Sequence, residues 1–317
     1  MNIRRICGLF VRDCRKIVTG AYNRLFYLTH SPERILLLTG YLDQIGFKIK
    51  KRNWGDDINY HLVEYLSGKK AMCIQSILHW DRIHAPNYAC IGSILDSFMN
   101  KNTVVWGSGC MTEVGFSSQH PSKILAVRGR LTRDLLTTKG MTVPEVYGDP
   151  ALLLPYIYDN PQGKKYRCGL IPHYIDFDLP NVKGFKERYG NEVIVIDLKH
   201  YTEWTEVIDQ IRQCDFILSS SLHGIIVSDA YHVPNMWIKL SENVIGNGFK
   251  FLDYFSSVNR NCHDPADLVG KEIMLDGFTE TIRPEEYMDI DLMPLIDSCP
   301  FIREEISREL KQRYLYA

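Results

Sequence analysis

Short apolar runs, each followed by a glycine-bearing loop or a stretch of helical period, recur from residue 47 to residue 239. Phe47-Lys48-Ile49-Lys50 alternates like a strand. It leads into Asn53-Trp54-Gly55-Asp56-Asp57, after which residues 58–66 show helical spacing that closes near Gly68. That order predicts the first half of a βαβ unit. Residues 71–77, 103–106 and 124–127 predict further strands of a parallel sheet, which read as continuous apolar runs because both faces are covered. Residues 31–45 have no clear period, and Ser31-Pro32-Glu33 marks a helix start.

The alternation breaks at Tyr147-Gly148-Asp149-Pro150 and across the polar stretch 159–165. It then restarts, with strands expected at 167–172, 193–198, 216–219 and 235–239 and helices at 204–213 and 225–231. The expected fold is α/β, with two Rossmann-like domains facing each other across a cleft. The N-terminal domain is expected over 31–155 and the C-terminal one over 156–280. A helical tail over 281–317 and a separate helix over 1–30 complete the organisation.

That first helix is unlike the rest of the chain. It carries Arg4, Arg5, Arg12, Arg15, Lys16 and Arg24 against the single acid Asp13. At about 100° per residue, most of the basic side chains fall on one arc, and Ile3, Ile6, Phe10, Ile17, Val18, Ala21 and Leu25 fall largely on another. Two readings stay open: an interfacial helix lying on an anionic membrane surface, or a helix packed on the body with a solvated basic face.

Composition narrows the function classes. Lys and Arg total 37 against 38 Asp and Glu, a net charge of −1, which excludes the basic excess of a nucleic-acid binder. Any anion site must therefore be a local cluster. The nine cysteines are scattered and include no Cys-x-x-Cys pair, so neither a disulfide framework nor a thiolate zinc site is expected. No apolar run reaches the roughly 18 residues of a membrane span, and no signal-peptide core is evident. The expected location is cytoplasmic, at the inner face of the membrane if the first helix binds lipid.

The strongest candidate chemistry lies in Cys214 to Val227. A short apolar strand ends in Ser219-Ser220-Ser221, then Leu222-His223-Gly224, then an apolar helix. In open α/β sheets ligands sit beyond the carboxyl ends of strands, where a helix start offers free N–H groups to anions. The serine hydroxyls add donors, Gly224 permits close approach, and His223 can hold an anion or move a proton. A helix cap and a satisfied core histidine are the competing reading.

Ser221-Leu222-His223-Gly224, followed by Ala230-Tyr231-His232-Val233-Pro234, resembles the signature of the polysaccharide pyruvyl transferase family. Four further segments resemble that family in the same order: Asn53-Trp54-Gly55-Asp56, Ala126-Val127-Arg128-Gly129-Arg130-Leu131-Thr132, Gly148-Asp149-Pro150-Ala151-Leu152, and Gly248-Phe249-Lys250-Phe251-Leu252-Asp253-Tyr254. The resemblance implies a glycosyltransferase-B-like architecture and phosphoenolpyruvate as donor. It also implies transfer of pyruvate to two hydroxyls of a sugar as a cyclic ketal, with release of phosphate. A 4,6-linkage on a hexose of a lipid-linked precursor is the expected acceptor. One departure stands out: where family members often carry arginine before Leu-His, this chain has Ser221.

A donor with a carboxylate and a phosphate needs charge-assisted hydrogen bonds, best supplied by arginine. Arg128 after the strand 124–127, and Lys250 after a Gly-Asn-Gly turn, are the expected positive groups, with Ser219, Ser220, Ser221, Leu222 and Gly224 around them. His223 serves as acid, base or anion binder. Asp56 serves as base or acceptor ligand, and Asn53, Gly55, Asp57 and His173 form the expected acceptor side. Asp57 competes for a helix-capping role, and Asp149 for a turn-stabilising one.

No metal or resident cofactor is expected. The strings Asp176-Phe177-Asp178 and Asp289-Ile290-Asp291 read as surface carboxylates, and no Gly-x-Gly-x-x-Gly or Walker sequence occurs. Two other functions fit the same pattern: a sugar-nucleotide glycosyltransferase of this architecture, and a catalytically inactive relative that binds sugar or phosphate.

Overall fold

The computed structural model describes residues 3–51, 53–114, 119–279 and 288–316, without the side chains of 3–13 and 279. Residues 280–287, where the C-terminal tail was expected to begin, lie outside the described residues, as do the side chains of Arg4, Arg5 and Arg12.

Two five-stranded parallel sheets form the framework. The first contains β1 (Ile35–Leu38), β4 (Lys70–Cys73), β5 (Asn87–Ala89), β6 (Thr103–Trp106) and β7 (Lys123–Ala126), in the order β4-β1-β5-β6-β7. Between them, β2 (Gln44–Ile45) and β3 (Lys48–Ile49) form a separate antiparallel hairpin. The second sheet contains β8 (Tyr166–Ile171), β9 (Val193–Val195), β10 (Cys214–Ser219), β11 (Asn235–Lys239) and β12 (Ala266–Asp267), in the order β12-β11-β10-β8-β9. In chain order each sheet reads 2-1-3-4-5. Its topological switch point therefore falls between β1 and β5 in the first and between β8 and β10 in the second.

The first expected strand is corrected. The alternation at 47–50 belongs to the hairpin, and the sheet instead begins with Ile35-Leu36-Leu37-Leu38, buried at every position. A fully buried parallel strand has no alternation to read, which is why residues 31–45 looked periodless.

The helices are α1 (Ile3–Thr29), α2 (Trp54–Ser67), α3 (Leu95–Phe98), α4 (Arg130–Thr138), α5 (Pro180–Tyr189), α6 (Trp204–Arg212), α7 (Leu222–Ala230), α8 (Phe249–Ser257), α9 (Asp276–Thr279), α10 (Met293–Asp297) and α11 (Glu304–Tyr316). α2 begins at Trp54, four residues before the expected start, and stops at Gly68, whose φ of 66° ends the helix in the left-handed region.

The two halves share one hydrophobic core beneath the cleft. Its largest buried cluster runs from Leu38, Trp54 and Ile58 through Ala151–Leu154 to Ile217, Ile225 and Tyr254. Trp54 is central: its backbone N–H donates to Leu198 O (2.7 Å) and its indole N–H to Trp204 O (2.6 Å). The C-terminal segment returns to the first sheet. Trp106 Nε1 donates to Leu295 O (2.9 Å), and Phe301 meets Tyr88 and Trp106 edge-on.

Candidate functional site

A cleft of about 530 Å³ opens between the switch points of the two sheets. Tyr41 and Ser93 reach it from loops after β1 and β5, and His173, Ser221 and His223 from segments after β8 and β10. Asn53 and Asp56 at the start of α2, and Lys50's neighbour Lys51, line one side, and Lys250 at the start of α8 lines another.

The serine turn divides its labour. Ser219 is fully buried, accepts from Ser221 N (3.1 Å) and donates to Ser221 O (2.8 Å), so it builds the turn and does not face ligand. Ser220 Oγ accepts from His173 N (2.8 Å) and borders a neighbouring hollow of about 330 Å³. Ser221 and Leu222 reach the main cleft. Gly224 is required by packing, because a Cβ there would stand 2.3 Å from Ser219 Oγ.

His223 is nine-tenths buried, and its Nε2 has no hydrogen-bond partner. Burial, then the positive charges of Arg128 and Lys250, push its pKa down to about 3, so the imidazole is neutral. Gly55 does not line the cleft; it packs directly against the His223 ring. Lys250, partly exposed into the cleft, forms no ion pair among the described residues. Its pKa is lowered to about 8 by burial and by Arg128, against the pull of Asp56. The expected turn at Lys250 is the first turn of α8, entered through Gly246, Asn247 and Gly248, all at positive φ.

Asn53 Nδ2 donates to Asp56 Oδ2 (2.8 Å). Burial raises Asp56 to about 7, with Asp57 and Asp149 adding to the rise while Asn53 and Lys250 oppose it. His173 lies against Tyr174, with 4.4 Å between ring centroids, and is lowered to about 3 by burial and Lys250.

Six expected site residues do not line the cleft: besides Gly55, Ser219, Ser220 and Gly224, Arg128 and Asp57 stand elsewhere. Arg128 does not line the cleft: it is fully buried one layer behind it. Its Nε and Nη2 lie 2.9 Å from Asp253 Oδ2, Nη2 donates to Cys110 O (2.7 Å), and Nη1 donates to Ser93 Oγ (2.5 Å). A guanidinium with its counter-charge already in contact reaches the cleft through its field and through Ser93. Asp57 is also buried, and its Oδ2 accepts from Tyr201 OH (2.7 Å), tying the two halves together below the cleft. Asp149 caps the turn after it, accepting from Ala151 N (3.0 Å).

Tyr41, Lys51, Ser93, Met111, Tyr174, Ile175, Leu198, Lys199 and Ile245 also line the cleft and were not singled out from the sequence. Tyr41 and Ser93 had a signal, the ends of β1 and β5 at the switch point, but neither strand was recognised. Of the Asp-x-Asp strings, Asp176 accepts from Ser241 Oγ (2.5 Å) and Asp291 caps Met293 N (2.9 Å). Among the described residues no group of three or more His, Cys, Asp or Glu is placed to hold a metal ion.

Residues 80–242, just over half the chain, match the polysaccharide pyruvyl transferase family. The chain belongs to that family. The matched span contains Arg128 and His223, while Asn53, Asp56 and Lys250 lie outside it. The chain is 28% identical over 217 residues to an uncharacterized protein of Acanthamoeba polyphaga mimivirus, covering 67% of this chain and 73% of that protein. It is 27% identical over 211 residues to the succinoglycan biosynthesis protein ExoV of Rhizobium meliloti, covering 64% of this chain and 60% of ExoV. No solved structure matches significantly. Family membership supports a transferase, and the cleft is its candidate active site.

Proposed function

We propose that the cleft transfers the pyruvyl group of phosphoenolpyruvate to two hydroxyls of a sugar, forming a cyclic ketal and releasing phosphate. The observation that carries this is a pair of polar groups in one cleft: buried His223 Nε2, which has no hydrogen-bond partner, and Lys250, which forms no ion pair among the described residues. Buried polar groups are normally satisfied, so His223 Nε2 is built for a ligand, and the half-buried Lys250 ammonium supplies positive charge in the same cleft. With Arg128 adding positive field from behind, that ligand is an anion. His223 and Lys250 hold the donor, aided by Ser221 and its neighbour Leu222.

The reaction balances as follows. A proton adds to the enol methylene, a sugar hydroxyl adds to the adjacent carbon, and the C–O bond to phosphate breaks. The second hydroxyl then closes the ring. Of the two hydroxyl protons, one is accounted for in the new methyl group and one leaves with phosphate. Asp56, poised near neutrality, takes the hydroxyl proton, with Asn53 orienting it; His173 faces the sugar. His223 protonates the departing phosphate once the bound anion has raised its pKa. In this reading the first sheet carries the acceptor side, with His173 reaching across from the second, and the second sheet carries the donor side, a glycosyltransferase-B-like division. The acceptor is a hexose of a lipid-linked precursor, bridged at its 4- and 6-hydroxyls, and no resident cofactor takes part.

The test is phosphate release from phosphoenolpyruvate in the presence of a panel of lipid-linked sugars, with the product identified by mass. Release must depend on both substrates. Turnover of a sugar nucleotide with phosphoenolpyruvate ignored would overturn the reading, as would unchanged turnover by His223→Ala.

A further inference from the structure

α1 packs on the body by an edge that mixes Gly20, Asn23 and Arg24 with Phe26 and Tyr27, and leaves a second, apolar edge in solvent, unlike an ordinary surface helix. The attachment is specific. Asn23 is fully buried, donating to Gln44 O (3.0 Å) and Ser76 O (2.9 Å) and accepting from Gly46 N (2.8 Å). Gly20 sits so close to Leu78 that a Cβ would meet its backbone N at 3.2 Å, and Arg24 donates to Leu78 O (2.9 Å). Tyr27 completes the buried edge. These bonds fix the rotation of the helix.

The opposite edge consists of Ile17 (56% exposed), Val18 (68%), Leu25 (63%) and Leu28 (60%), with Tyr22 beside them. At 100° per residue they span an arc of about 140°. Scattered exposed apolar residues need no explanation, but a contiguous stripe held outward by a buried polar latch does. The charge of the segment says what covers it. Residues 1–30 carry six Lys and Arg against one acid, and Arg15 and Lys16 are exposed on the helix. The β2–β3 hairpin, against which α1 packs, adds exposed Ile45 and Lys48. At 100° per residue Arg15 and Arg24 fall at the two margins of this arc, while Lys16 falls on the other side of the helix; an apolar edge flanked by cations matches the interface of an anionic lipid surface, with acyl chains below and phosphates around.

We propose that the apolar edge of α1 lies on an anionic lipid bilayer. No helix among the described residues is long and apolar enough to cross a membrane. The hairpin under α1 leads directly into Lys51, Asn53 and Asp56 at the cleft, so this contact sets the mouth of the cleft close to the lipid surface.

The test is co-sedimentation of the full chain with phosphatidylcholine vesicles containing about one-third phosphatidylglycerol, and with phosphatidylcholine alone. The chain should partition to the anionic vesicles, less so at high salt. Leu25→Glu with Leu28→Glu should lower partition at least about tenfold. Arg15→Glu with Lys16→Glu should remove the preference for anionic lipid. Tyr316→Glu, on an exposed apolar residue of α11, should change nothing. All variants keep their thermal midpoint, because each site is exposed. Absence of vesicle binding by the unaltered chain, or binding indifferent to the leucine substitutions, overturns the proposal. A dimer in lipid-free solution that the leucine substitutions dissociate would assign the face to a second copy instead.

Discussion

Gly55 at the start of α2 packs directly against the His223 ring, with no space for a methyl group between them: a Cβ on Gly55 would stand 2.0 Å from His223 Nδ1. The first half of the chain thus sets the position of the imidazole in the second. Gly55→Ala leaves α2 intact, since alanine favours a helix by about 1 kcal/mol, but drives the ring out of place. Turnover should fall by about 100-fold or more, with circular dichroism unchanged. In the double variant with His223→Ala, the thermal midpoint lost in Gly55→Ala should recover while activity does not. An active Gly55→Ala enzyme would detach the ring position from catalysis.

The Arg128–Asp253 pair is fully buried and also fixes Thr132, whose N–H and hydroxyl both reach Asp253 at 2.7 Å. It welds α4 to α8, the helix that carries Lys250. Asp253→Ala strands the guanidinium and should cost about 3–5 kcal/mol of stability, read by denaturant unfolding. Asp253→Asn keeps the shape but releases positive field toward the cleft. Its affinity for phosphoenolpyruvate, measured by calorimetry, should equal or exceed that of the unaltered chain, whereas Arg128→Met weakens it.

Tyr201 and Asp57 form a latch under the cleft. Tyr201→Phe removes one hydrogen bond from a buried carboxylate and should cost about 1–3 kcal/mol, lowering the thermal midpoint. The acceptor KM should stay within about twofold, because Asp57 does not line the cleft. A KM that rises tenfold with stability unchanged would return Asp57 to the acceptor site.

What the sequence made legible was local. The strand 235–239 and the helix near 204–213 were read almost to the residue, because turn residues bracket them. The turn holding His223 and the loop holding Asp56 were legible for the same reason. What was not legible is distance. Asp253, which neutralises Arg128, lies 125 residues along the chain, and no periodicity announces it. Ser219 looked like a ligand group, yet its hydroxyl closes on Ser221. Lys250 was read as following a turn because Gly246-Asn247-Gly248 precede it, although those three residues launch a helix. The exposed apolar edge of α1 was legible as an arc, but which edge packs inward depends on the partners of Asn23.

The electrostatics of the cleft set a narrow window of pH. Asp56 has its carboxyl raised to about 7 by burial, and Lys250 its ammonium lowered to about 8 by burial and Arg128. If Asp56 accepts the hydroxyl proton it must be ionised, so kcat/KM rises as pH climbs through about 7. If Lys250 holds the donor it must be protonated, so kcat/KM falls as pH climbs through about 8. The free enzyme should therefore give a bell with closely spaced limbs. Lys250→Arg keeps a charge that does not titrate in this range and should move the alkaline limb above pH 9, about one unit or more. Donor binding places an anion beside Lys250 and neutral His223, which favours their protonated forms. Binding should thus take up protons, seen as a dependence of the calorimetric heat on buffer ionisation. A flat profile between pH 6 and pH 9, at about constant kcat/KM, would remove both groups from their assigned steps.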